Sequence, residues 1–336
     1  MITYGIMEWG KYCMSTGLFD EIRVFYGSDQ LTTIFNDLVN NNVEEAVRSI
    51  NHKNLQFPSL FILQHQINKS GLADRLSPRN KYALDLINQL SADVRLDSDR
   101  LLSEYTQANY STIRWIVETG YADDGLSEEY DEVLDTAAII LSRVYNDNSC
   151  LKIMDELIFN RHRKGAYIYD LVWAFFETIT PQSINMVANR LRSANPKDIE
   201  LAQKFLNFIP CMNREDDPLK QYQCCVRWIN QNENFLYYTG ATNQQTTNPS
   251  RYAVSLEAKY LQKPAGIILS DQTRSLRKEE LSYMDIFKSL DDDSRLLLAN
   301  YSDMLYRTNK YRWNRWLQSP VEKQLVVARK TMGGEQ

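Results

Sequence analysis

Residues 149–209 run SCLKIMDELIFNRHRK (149–164), Gly165, AYIYDLVWAFFETI (166–179), PQSINMVANRLRS (181–193) and PKDIELAQKFLNFI (196–209). Apolar residues recur three and four apart in each run, the spacing of one helix face. The interruptions have the chemistry of helix ends. Gly165 follows a basic last turn, and Thr180-Pro181 and Asn195-Pro196 each place a capping residue before a proline at the first helical position. The spacing predicts helices of about 12–18 residues with connections of about 2–6, as in antiparallel helix pairs.

The same rhythm extends both ways. Asp217-Pro218 opens LKQYQCCVRWINQNENF (219–235). Ser127 with Glu128 and Glu129 starts EYDEVLDTAAIILSRVYND (129–147), whose buried face is expected to be Val133, Ala137, Ile140 and Leu141. DSDRLLSEYTQANYSTIRWIVETG (97–120) reads as one helix or a broken pair ended by Gly120, and Ser77-Pro78 starts PRNKYALDLINQLSADV (78–94). Earlier, PSLFILQHQINK (58–69), NVEEAVRSI (42–50) and DQLTTIFNDLVN (29–40, capped by Ser28) read as helices, with EIRVFYG (21–27) expected to be extended.

After Phe235 the texture changes. LYYTGATNQQTTNPSR (236–251) reads as a long loop, RYAVSLEAKYL (251–261) as a helix or strand, and KPAGIILSDQ (263–272) as extended. Helices resume in RKEELSYMDIFKSL (277–290), DDDSRLLLANYSDMLYRTNKYRWNRWLQ (291–318) and PVEKQLVVARKTM (320–332). The expected organisation is an N-terminal helical region (1–95), a helical-repeat-like region (96–235), an irregular insertion (236–272) and a C-terminal helical region (273–336).

ANPKDIELAQKFLNFI (194–209) resembles the second half of a HEAT or armadillo repeat. The resemblance is one of pattern, covers about residues 125–232, and rests on a helix-pair unit of roughly 31–36 residues. It implies an α-solenoid in which each pair buries its apolar face by stacking on the next. An irregular helical bundle gives the same pattern. The expected fold class is all-α: stacked antiparallel helix pairs, solenoid-like or bundled, with one irregular insertion.

Composition narrows the function classes. The chain has 336 residues, a net charge of −5, 43% hydrophobic residues and 12 glycines, which excludes wholesale disorder and collagen-like character. No run of 18 apolar residues suggests a membrane-spanning helix, and Glu8 and Lys11 interrupt any secretory signal. The five cysteines (Cys13, Cys150, Cys211, Cys224, Cys225) are odd in number and irregularly spaced, so reduced thiols in a cytoplasmic protein are expected. His52, His65 and His162 lack zinc-site spacing. GxSxG, GxGxxG and the P-loop pattern are absent. Asp123-Asp124 with Glu128 only loosely resembles the magnesium motif of helical isoprenoid synthases, and Asp97-x-Asp99 reads as a helix cap. Cys150, near a helix start, is a candidate low-pKa thiol. No cofactor, metal or small-molecule substrate is expected.

Charge is segregated. Residues 91–150 carry a net −9 and residues 301–336 a net +4. Arg161, His162, Arg163 and Lys164 add a second basic cluster. In YRTNKYRWNRWLQ (306–318) aromatic and basic residues interleave, a pattern that serves single-stranded nucleic acid, an anionic membrane, or a packed core with basic ends turned outward. The spacing of Tyr306, Trp313 and Trp316 favours the core. The expected function is a non-enzymatic interaction or scaffold protein with a protein partner or self-association. Its candidate partner-binding residues are Arg161, Arg163, Lys164, Arg307, Lys310, Arg312 and Arg315. The alternatives are an enzyme site assembled from distant helices, or nucleic-acid binding by the C-terminal segment.

Overall fold

A computed structural model describes residues 17–91, 107–178, 180–241, 251–269 and 276–332. Among the described residues the chain forms seventeen α-helices and a single two-stranded sheet, so the fold is all-α with a small insertion. It divides into two compact units, 1–178 and 179–336. The division falls inside the stretch 96–235 that the sequence presents as one helical region.

Unit 1 holds α1 (Leu18–Asn41), α2 (Val43–Ile50), α3 (Phe57–Lys69), α4 (Pro78–Ser91), α5 (Gln107–Gly120), α6 (Glu128–Arg143), α7 (Leu151–Lys164) and α8 (Tyr169–Glu177). Each helix packs on its chain neighbours or on the helix two places along. EIRVFYG is not extended: it is helical to Tyr26, and Gly27 at φ 86° breaks α1 in two. Phe19 and Ile22 before the break and Leu31 and Phe35 after it all point inward, which period-2 reading of a short segment cannot detect. The predicted face of α6 is buried as expected, and Ser127 caps it by accepting from the Tyr130 amide at 3.1 Å.

Gly120 does not end α5 in a left-handed cap. Its φ and ψ are −92° and −28°, and a 3₁₀ turn follows. It is glycine because the Phe57–Phe61–Tyr130 cluster presses on it; a Cβ there would sit 2.9 Å from Tyr130 Oη and 3.2 Å from Phe57. The Tyr130 hydroxyl donates to the Gly120 carbonyl at 2.7 Å.

Unit 2 holds α9 (Pro181–Arg190), α10 (Pro196–Phe205), α11 (Pro218–Asn232), a hairpin of β1 (Leu236–Tyr238) and β2 (Tyr252–Val254), then α12 (Leu256–Leu261), α13 (Ala265–Leu269), α14 (Lys278–Lys288), α15 (Asp292–Thr308), α16 (Lys310–Leu317) and α17 (Val321–Met332). The strands are antiparallel, with Tyr237 opposite Ala253. Two expectations for the insertion change. The start of the expected loop pairs, as β1, with Tyr252–Val254 just beyond it, and KPAGIIL holds a short helix rather than an extended piece, because Ala265 and Ile268 lie three apart against the core. That core gathers Tyr260 stacked on Phe287 at 4.4 Å, with Trp316 edge-on to Tyr260 and Tyr301. No helix among the described residues is long and apolar enough to cross a membrane.

Candidate interaction surfaces and buried charge clusters

The aromatic-basic segment resolves into an inner and an outer face. Asn309 caps α16 by accepting from the Arg312 amide at 2.9 Å. The Trp313 indole N–H donates to Ser302 Oγ at 2.8 Å, and Tyr306 meets the Trp313 ring edge-on. Trp316 and Leu317 are buried. These anchors leave Lys310, Tyr311, Arg312 and Arg315 outside, Tyr311 at 73% exposure. Arg307 is spoken for: Nε donates to Asp303 at 3.0 Å and Nη2 to the Gln231 carbonyl at 2.8 Å. Lys310 Nζ lies 4.9 Å from the Tyr306 ring centroid, a cation–π contact. Among the described residues, Arg312 and Arg315 make no ion pair.

The second basic cluster divides differently. Arg163 is half-buried and Lys164 exposed, but Arg161, expected at the surface, is only 4% exposed. Its Nε donates to Asp124 and its Nη1 to Asp135, both at 2.7 Å, while Asp131 lies at 4.0 Å. Lys164 Nζ stands 3.9 Å from Asp124. Arg161 follows Leu157 and Ile158 by four and three positions, so it shares their buried face; its guanidinium is a core group. Three carboxylates around one guanidinium leave an acidic excess. Burial, with the charges of Asp131 and Asp124, pushes the Asp135 carboxyl up to about 6 against the pull of Arg161. Burial raises Asp131 as well.

Asp123 pairs with Arg23, so the aspartates that loosely resemble a magnesium motif are committed to cations. No group of three or more His, Cys, Asp or Glu among the described residues is placed to share a metal ion. Asp97 and Asp99 lie outside the described residues. What stays exposed of the acidic stretch within α6 is Glu128, Glu129 and Glu132, on its first turns. Glu177 pairs with Arg143 at 2.7 Å, and Asp170 accepts from the Tyr167 hydroxyl at 3.4 Å.

The cysteines depart from expectation. Cys211 and Cys224 form a disulfide, so reduced thiols throughout is overturned for this pair. Cys150 and Cys225 are free and buried. Burial pushes the Cys150 thiol up to about 12, the opposite of an activated nucleophile. Cys13 lies outside the described residues.

Sequence reasoning also missed Lys259. Its ammonium is buried between Asn232 (2.8 Å) and Asn300 (2.9 Å), and burial lowers its pKa. The only signal was a lysine between apolar Ala258 and Tyr260 within one short helix. Two shallow surface hollows, of about 320 and 300 Å3, are lined by Cys211, Arg214, Lys220, Cys224 and Arg227 and by Pro78, Tyr82, Asp85 and Thr112 respectively, among others. Compared with protein-family models, curated proteins and solved structures, the chain gives no match.

Proposed function

We propose that the chain is a non-enzymatic interaction protein that self-associates head to tail, the basic face of α16 on one copy docking on the acidic start of α6 on another. The observation that carries this reading is Arg312 and Arg315: exposed, without an ion pair among the described residues, and held out by a helix anchored by the buried Trp316 and by the Trp313–Ser302 hydrogen bond. A helix already held by its buried side chains needs no backbone ordering on docking, so the ordering cost is confined to the two arginine side chains. The complementary patch is Glu128, Glu129 and Glu132, also exposed and, among the described residues, also without an ion pair. Two different patches that fit one another make a heterologous contact, which builds rings or open chains rather than twofold dimers. Packing of each helix of unit 1 on its near neighbours in the chain supports a scaffold role, since such arrays present long surfaces.

Sedimentation velocity of the full chain at low and high salt tests this. Association that weakens with added salt is expected, because exposed charges are screened. R312E/R315E should be monomeric, as should E128K/E129K/E132K. An equimolar mixture of the two should associate again, since the basic α16 of one variant meets the acidic α6 of the other. A wild-type chain that stays monomeric at low salt, or a charge-reversed chain that associates like wild type, overturns the reading.

A further inference from the structure

The disulfide is not sequestered. Cys211 sits in the 3₁₀ turn Pro210–Asn213 and Cys224 in the middle of α11, both half-buried, and both line the hollow of about 320 Å3. Around the sulfurs the hollow carries three cations, Arg214, Lys220 and Arg227, against one carboxylate, Glu215. Glu215 lies 3.7 Å from Lys220 Nζ, and the neighbouring Asp217 is engaged as the N-cap of α11 through the Leu219 amide. The hollow therefore has an excess of two positive charges beside an accessible sulfur–sulfur bond.

We propose that this hollow is a thiol–disulfide exchange site for small anionic thiols of the glutathione class. Such a thiol carries carboxylates that the cations attract, and its size suits a hollow of a few hundred cubic ångströms. The cations also set the direction of attack. Lys220 and Arg227 stand four residues before and three after Cys224 on one face of α11. They stabilise negative charge on Cys224 Sγ, which makes it the better leaving group. The incoming thiol first gives its proton to solvent. Its thiolate sulfur then bonds to Cys211 Sγ, the Cys211–Cys224 bond breaks, and the electron pair passes to Cys224 Sγ. A second thiolate can attack the mixed disulfide, releasing the oxidised small thiol and leaving both cysteines reduced. Alternatively Cys224 attacks back and restores the starting bond.

The return step is favoured by what holds the turn without the disulfide. Gln221 Nε2 donates to the Glu215 carbonyl at 2.7 Å and to the Met212 carbonyl at 3.4 Å. The buried Cys225 Sγ sits 3.2 Å from Met212 Sδ. Opening the bond leaves Cys211 beside Cys224, so the exchange is reversible and does not require unfolding.

The test uses the full chain, oxidised, with three probes: glutathione, neutral 2-mercaptoethanol and cationic cysteamine. Rates are read by acid quench and peptide mass spectrometry and normalised to thiolate concentration. Glutathione should react several-fold faster than cysteamine, the advantage should shrink with added salt, and the first adduct should lie on Cys211. K220E/R227E, exposed substitutions that leave the disulfide intact, should reverse the order of the two charged probes. Equal normalised rates for the three thiols, a first adduct on Cys224, or free thiols at both positions before any reductant is added would each overturn the proposal. A K220E/R227E chain that keeps the wild-type order would overturn it too.

Discussion

Replacing Asp135 by Asn removes one of three carboxylates from around the buried Arg161. Asp135 Oδ2 accepts from Arg161 at 2.7 Å, while Oδ1 is buried and has no hydrogen-bond partner among the described residues. That environment moves the carboxyl from its ordinary 3.8 to about 6. Between those two values the folded chain holds a proton that the unfolded chain has released. The proton therefore favours the fold: the stabilisation is complete below 3.8 and is lost as pH rises through about 6. A displacement of that size corresponds to about 3 kcal/mol. Asn cannot ionise, so the variant escapes this loss. The pull of Arg161 on the ionised form is already contained in that displacement; what Asn gives up is at most the neutral acid's own hydrogen bond, about 0.5–1.5 kcal/mol at low pH.

The two effects separate by pH. Near about pH 4 the wild-type group is close to neutral, and D135N should match wild type or fall slightly below it. Near about pH 7 wild type has lost its proton-linked share, so the variant should gain by about 3 kcal/mol relative to its own position at the lower pH. Hydrogen exchange of peptides from α6 and α7 reads this directly. The difference between variant and wild type at each pH cancels the intrinsic exchange rates, leaving the difference in opening free energy. A difference constant across the range, or one in which the variant loses ground as pH rises, would refute the account of the cluster as over-acidic.

Gly120→Ala tests the aromatic cluster of unit 1. Overpacking against Tyr130 and Phe57 should cost about 1–3 kcal/mol, outweighing the roughly 0.4–1 kcal/mol gained by stiffening the unfolded chain; a denaturation midpoint at or above wild type would count against the packing argument. Cys150 should resist iodoacetamide in the folded chain. A thiol moved from 9.0 to about 12 has a thiolate fraction about a thousandfold lower at mildly alkaline pH, and peptide-level alkylation as fast as in denaturant would show the thiol is not buried as described.

Helix existence was legible because caps and apolar periodicity agree over segments long enough to average out exceptions. Ser127, Asn195 and Asp217 cap where the sequence places them, whereas Thr180 precedes α9 without a side-chain cap bond and Ser28 lies inside α1 rather than at its start. Short segments failed. EIRVFYG is rich in β-branched and aromatic residues, yet Phe19 and Ile22 bury only if the backbone is helical. KPAGIIL is too brief for period to speak. The surface set failed at Arg161 for a different reason: its partners lie 37 and 26 residues away, and tertiary pairing leaves no local mark. Yet Met154, Leu157 and Ile158 share its face, and that argued against exposure. The disulfide was invisible because Cys211 and Cys224 are brought together by a turn between Pro210 and Pro218, which spacing alone does not specify.

The same distinction recalibrates the charge asymmetry. A net of −9 over residues 91–150 overstates the outward field of that stretch. Asp123 is matched by Arg23, and Asp124, Asp131 and Asp135 surround Arg161, so these four carboxylates act inside the fold. In α6 the outward remainder is three glutamates, facing in the proposed association two arginines. Exposed pairs contribute about 0–1 kcal/mol each, while micromolar affinity needs about 8 kcal/mol. Charge of this size selects which surfaces meet and supplies only a minor share of the hold, while charge reversal adds repulsion enough to abolish a weak contact. The holding must come from apolar contact, and α16 supplies a candidate in Tyr311, whose ring stands 73% exposed between Lys310 and Arg312. The association is therefore expected to be weak, sensitive to salt in its rate, and dependent on an aromatic ring that no charge count reveals.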